Sequence, residues 1–149
     1  METRRTGVGG VTGVGGQFRR EIDALEEVFV LLDAFVEDQA IDAKTSFSLR
    51  VVVEELFTNM VRHNVGGGDI IDLSIERVGD RVLLELVDTD VEPFDPETAE
   101  VPMVDAGIAD RRPGGLGIYL VKKMVDELRY DYEPEGRRMR VSVTKTLGS

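Results

Sequence analysis

The segment VVVEELFTNMVRHN, residues 51–64, carries the side chains best suited to chemistry. Glu55, Asn59 and His63 follow one another at every fourth position, which lines them up along one flank of a helix. A carboxylate there can take a proton from a nucleophile or orient it. An amide there can offer its oxygen to a hard divalent cation. The same stripe also reads as the ordinary polar flank of an amphipathic helix, because Leu49, Val52, Val53, Leu56 and Met60 form an adjacent apolar face. Glu54, Thr58 and Arg62 fall further round, toward solvent. His63, the single histidine of the chain, fits a helix-end cap or core-edge role better than catalysis.

A second segment, ADRRPGGLGIYLVKKMVDE, turns from loop to helix through Gly114, Gly115, Leu116 and Gly117. Glycines let a backbone approach a ligand closely, and the free N–H groups of a helix N-terminus suit a phosphate. Arg111 and Arg112 stand just before them with positive charge. A plain glycine-rich loop feeding a core helix gives the same pattern, with Leu116, Leu120, Val121, Met124 and Val125 as its buried stripe. A third segment, LVDTDVEPFDP (residues 86–96), sets Asp88, Asp90, Glu92 and Asp95 directly after an apolar run. Calcium is a poor fit: an EF-hand loop beginning at Asp88 would need glycine sixth and glutamate twelfth, where this chain has Pro93 and Ala99.

These residues must be positioned by the rest of the chain. Apolar residues Ile22, Leu25, Val28, Phe29, Leu32 and Phe35–Val36 predict a helix over Glu21–Gln39. Asp42 caps a second helix running to about Asn64, and Gly66-Gly67-Gly68 stops it. Alternation predicts a strand over Asp69–Arg77, a turn at Gly79-Asp80 and a strand over Val82–Val87. A long irregular stretch over residues 88–113 has four of the chain's five prolines and reads as a lid-like loop. A helix to about Glu127 follows, then strands at Leu128–Tyr132 and Arg138–Thr146 around a Pro134-Glu135-Gly136 turn. Two hairpins and helices between them predict an α+β two-layer sandwich, a largely antiparallel sheet with helices on one face. Residues 1–16, rich in Gly and Val, read as a flexible tail ending in a short edge strand near Val11–Phe18. Residues 17–149 then form a single domain.

Bulk composition narrows the function. The net charge of −11 argues against direct nucleic-acid binding and favours basic protein partners. There is no cysteine, so thiolate metal sites are excluded. No apolar run suffices to span a membrane, and the N-terminus lacks the apolar core of a signal peptide. A cytoplasmic protein is expected.

Glu55–Asn59–His63, Gly114–Gly117 and the sequel Met124–Tyr130 together resemble the ATPase domain shared by gyrase, chaperone and histidine-kinase ATPases, the Bergerat fold. Within it they are most similar to the serine-protein kinase and anti-sigma factor group of bacterial partner-switching systems. The likeness covers about Ala24–Leu147. It implies ATP and magnesium as cofactors, with Asn59 holding the metal and Glu55 as the catalytic residue that polarises a serine hydroxyl of a small antagonist protein. It implies phosphate contacts from Arg112, Gly114, Gly115, Leu116 and Gly117, and a sigma factor as the second partner. A homodimer is compatible with it.

One motif departs from that family. Its Asp-x-Gly-x-Gly box, in which the aspartate accepts from the adenine amino group, has no glycine here. An ungapped alignment on Phe94-Asp95-Pro96 puts Thr89 at the aspartate. Starting from Asp88 instead puts Asp90 and Glu92 at the glycines. Asp88, Thr89 and Asp90 therefore all stay open as the base-facing residue. Two functions follow: an ATP-dependent protein-serine kinase and anti-sigma factor, or a partner-binding module of the same fold with weakened or lost nucleotide binding.

Overall fold

The computed structural model describes residues 2–8, 11–63, 68–91 and 115–148. Its elements are β1 (Glu2–Val8), β2 (Val11–Arg19), a 3-10 turn (Ile22–Ala24), α1 (Leu25–Asp38), α2 (Ala43–His63), β3 (Ile70–Val78), β4 (Arg81–Asp88), α3 (Gly115–Met124), β5 (Glu127–Glu133) and β6 (Arg138–Thr146). The strands form one six-stranded sheet in the order β1-β2-β3-β4-β6-β5. Every neighbouring pair is antiparallel. The α+β reading therefore holds.

Alternation explains the sheet's buried face. Val14 and Phe18 of β2, Leu73 and Ile75 of β3, Val82, Leu84 and Leu86 of β4, and Met139, Val141 and Val143 of β6 are all buried in one core. The register sets Leu84 opposite both Ile75 and Val143, so three strands present one apolar surface. Against it pack Val28, Leu31, Leu32 and Phe35 of α1, Leu49, Val52, Val53, Leu56, Phe57 and Met60 of α2, and Ile118 and Val121 of α3. Asp42 starts α2 as expected, accepting from the Thr45 amide at 3.0 Å. Hydrogen bonds from Thr45 hold its carboxyl below the usual carboxylate range.

Three expectations are corrected. The strand expected near Val11–Phe18 is present as β2, but the stretch before it, read as a flexible tail, forms β1, so β2 lies inside the sheet rather than at its edge. Glycine disfavours strands, yet Gly13, Gly15 and Gly16 are paired on both sides, and Val14 and Phe18 supply the inward face. The third helix stops at Met124, not near Glu127. There the Asp126 amide bonds to the Thr144 carbonyl at 2.9 Å, and the Asp126 carboxylate accepts from the Thr146 amide at 2.6 Å, so sheet pairing takes the chain over. On that helix Ile118 is buried, whereas Leu120 is 39% exposed. The lid-like loop expected over 88–113 is described only as far as Val91, and its remainder lies outside the described residues.

β5 is the outer strand beyond β6. Leu128, Tyr130 and Tyr132 lean on the core, while Glu127, Arg129, Asp131 and Glu133 are exposed.

Phe57, missed by the sequence reading, is fully buried. Truncating a buried phenylalanine removes contacts and leaves a cavity. Phe57→Ala is expected to lower unfolding free energy by about 3–5 kcal/mol in urea titration. Val30→Ala, at a site 62% exposed, should change it by no more than about 0.5 kcal/mol.

Candidate functional site

Helix α2 presents its polar flank as the spacing predicts. Glu54 and Arg62 are exposed, Glu55 and Thr58 are intermediate, and Asn59 is buried at 8% exposure. An amide buried on this flank can offer its oxygen to a hard divalent cation. The His63 side chain lies outside the described residues.

Glu55 meets the glycine box. A methyl group on Gly117 would overlap the Glu55 carboxyl, lying 2.6 Å from Cδ and 3.3 Å from Cγ. Any larger residue at 117 would displace the Glu55 carboxyl from its place against α3. The Glu55 carboxyl is shifted above the ordinary glutamate range, first by burial and then by the charge of Glu54, against which Arg62 acts. Such a group holds its proton more readily than a solvated carboxylate, as a base must. Gly115 and Leu116 lie in the first turn of α3. The Leu116 side chain, Arg112 and Gly114 lie outside the described residues.

At the end of β4 the three expected candidates, Asp88, Thr89 and Asp90, sit in different surroundings. Val82, Leu84, Leu86 and Asp88 share the buried face, and Asp88 has no exposed surface. Thr89 follows on the other parity and packs on Gly68: the Gly68 amide donates to the Thr89 carbonyl at 2.8 Å, and a methyl on Gly68 would sit 2.8 Å from Thr89 Oγ1. Asp90 is exposed with φ of 57°. That left-handed conformation suits glycine, and aspartate is among the few residues that tolerate it. Asp90 thus keeps a glycine-like bend without a glycine. Val91 is buried; its amide bonds to the Arg137 carbonyl at 3.0 Å, and its carbonyl accepts from the Tyr132 hydroxyl at 2.8 Å.

Asp88 is already engaged. Arg20 Nη1 donates to Asp88 Oδ2 at 2.8 Å, and Arg20 Nη2 pairs with Oδ1. The same guanidinium reaches the Gly68 carbonyl through Nε at 2.6 Å and the Met60 carbonyl through Nη1 at 3.1 Å. Sequence reasoning missed Arg20. The available signal was its position two residues after inward-facing Phe18, at the same strand parity. Among the described residues no group of three or more His, Cys, Asp or Glu could hold a metal, and no helix is long and apolar enough to cross a membrane.

The sequence model of the histidine kinase-like ATPase domain matches residues 18–144. No curated protein matches the chain. Among solved structures, the crystal structure of the RsbU and RsbW domains of Rv1364c from Mycobacterium tuberculosis superposes with a TM-score of 0.65 at 15% identity. The superposition covers 91% of this chain and 32% of that one, so this chain spans about a third of its length. At that identity the likeness is one of fold.

The raised pKa of Glu55 makes a signed prediction. Folding favours its protonated form, so its stabilising contribution is full below the ordinary glutamate pKa and is lost as pH rises through the folded value. Glu55→Gln should therefore raise the thermal midpoint at pH 7. Melting curves down the acid side should show that gain disappear.

Proposed function

The chain belongs to the histidine kinase-like ATPase family, and from that premise we propose that it is an ATP-dependent protein-serine kinase and anti-sigma factor of the partner-switching type. One observation carries the reading. The half-buried Glu55 carboxyl, with raised proton affinity, abuts Gly117 in the first turn of α3, one helical turn from buried Asn59. A proton acceptor thus meets a helix N-terminus, with a buried amide on the same flank of α2. The family's ligand set fits: magnesium takes few protein ligands and most of its shell from water and phosphate, which agrees with a single buried amide.

In this reading ATP, when bound, supplies the phosphoryl group, with magnesium screening its charge. Asn59 holds the metal, and Arg112, Gly114, Gly115, Leu116 and Gly117 hold the phosphates. Glu55 orients the serine hydroxyl of a small antagonist protein and takes its proton. The RsbW domain named in the structural neighbour supports a sigma factor as the other partner. The net charge of −11 suits basic surfaces on such partners.

A second reading, a partner-binding module with weakened nucleotide binding, has its own observation: the Arg20–Asp88 pair occupies the buried carboxylate at the base end. Calorimetry with ATP and magnesium separates the two. Heat of binding is expected, and Asn59→Ala should abolish it; silence of the wild type at millimolar nucleotide would leave only the binding module.

Two variants then test the chemistry. Glu55→Ala should bind nucleotide yet transfer phosphate to a serine acceptor about 10²–10⁴-fold more slowly. Gly117→Ala should do likewise, since its methyl displaces Glu55 while alanine suits a helix. Normal transfer by Gly117→Ala would contradict the assigned placement of Glu55.

A further inference from the structure

We propose that Arg20 makes the nucleotide site indifferent to the identity of the base. The inference rests on the reading above, in which the nucleotide binds with its base toward the end of β4. The residue that would read an adenine amino group is a buried acceptor, and Asp88 is the carboxylate on the buried face of β4. Both of its oxygens face the fork of one guanidinium, Oδ2 toward Nη1 at 2.8 Å and Oδ1 toward Nη2. A bidentate charged fork is a stronger partner for a carboxylate than a neutral amino group.

The fork is also fixed from behind. Nε is committed to the Gly68 carbonyl and Nη1 to the Met60 carbonyl, so turning Arg20 away from Asp88 breaks contacts to the α2 end and to the loop before β3. Asp88 itself has no exposed surface, which leaves a base no path to its oxygens while Arg20 stays in place. The neighbouring acceptors are weaker substitutes: Thr89, packed on Gly68, offers an uncharged hydroxyl, and Asp90 is exposed to solvent on a left-handed bend. Guanidinium offers donors only; three of its N–H groups donate to protein oxygens, and Nη2 is paired with Asp88 Oδ1. Affinity then comes from the phosphate side, through Asn59 and the glycine box, and adenine gains nothing over guanine.

Titration calorimetry of the wild-type chain with magnesium-ATP and magnesium-GTP tests this directly. The two dissociation constants should agree within about threefold. Arg20→Gln frees Asp88 to accept from adenine and to repel the guanine carbonyl oxygen, and one such hydrogen bond corresponds to about tenfold preference for ATP. Arg20→Lys keeps a positive charge for Asp88 but loses the fork, and should give an intermediate ratio. Thermal melts establish that each variant is folded, and the wild-type ratio decides even if one is not. A wild-type preference for ATP of tenfold or more, unchanged on substitution, would overturn the inference while leaving the kinase reading intact. Absence of heat with either nucleotide in every protein would overturn both.

Discussion

The pairing of Arg20 with Asp88 ties together four parts of the chain that are far apart in sequence. Through one guanidinium the segment after β2 is joined to the end of β4, the last turns of α2 and the residue that leads into β3. Burying both charges is expensive, and such a pair adds little net stability over an apolar alternative. Removing one partner is another matter, because an uncompensated buried charge typically costs about 3–5 kcal/mol. The pair therefore acts as a constraint on geometry: α2 cannot shift along the sheet without exposing or stranding a charge. Everything on the flank of α2, Glu55 and Asn59 included, is placed relative to β4 by that constraint.

Most of the architecture was legible because period and punctuation agreed. The alternation of Ile71, Leu73 and Ile75, the Gly79-Asp80 turn and the Asp42 cap each specify one local geometry, and the sheet and α2 follow them. β2 was expected as a short edge strand and β1 was not, because the glycines of residues 1–16 remove side chains on which strand periodicity depends. What places β2 inside the sheet is pairing with β1 on one side and with β3 on the other, the latter a long-range contact that a local pattern does not contain. The end of α3 was misplaced for a similar reason. Asp126 is held by Thr144 and Thr146 of the last strand, which helical spacing cannot register.

The candidate site divides along the same line. Helical spacing alone placed Glu55 and Asn59 on one flank and Glu54 and Arg62 outside it, since that is a property of a single element. That the Glu55 carboxyl lies where a Cβ on residue 117 would sit is a property of two elements. Strand parity sets Asp88, Thr89 and Asp90 in different surroundings, and the contacts of Arg20 appear only in the tertiary structure. Asp90 takes a left-handed bend of the kind glycine favours, and the next residue, Val91, is held by Tyr132 and Arg137.

The outer strand β5 has a bearing on how copies of this molecule meet. Its exposed positions, Glu127, Arg129, Asp131 and Glu133, are all ionisable, and Arg129 already leans toward Glu127 at 3.6 Å. A second chain adding itself edge to edge would have to strip water from this row of charges. Charged edges of this kind keep a sheet finite. The residues that close the sheet at this end are thus also the ones that discourage strand-by-strand growth into fibres.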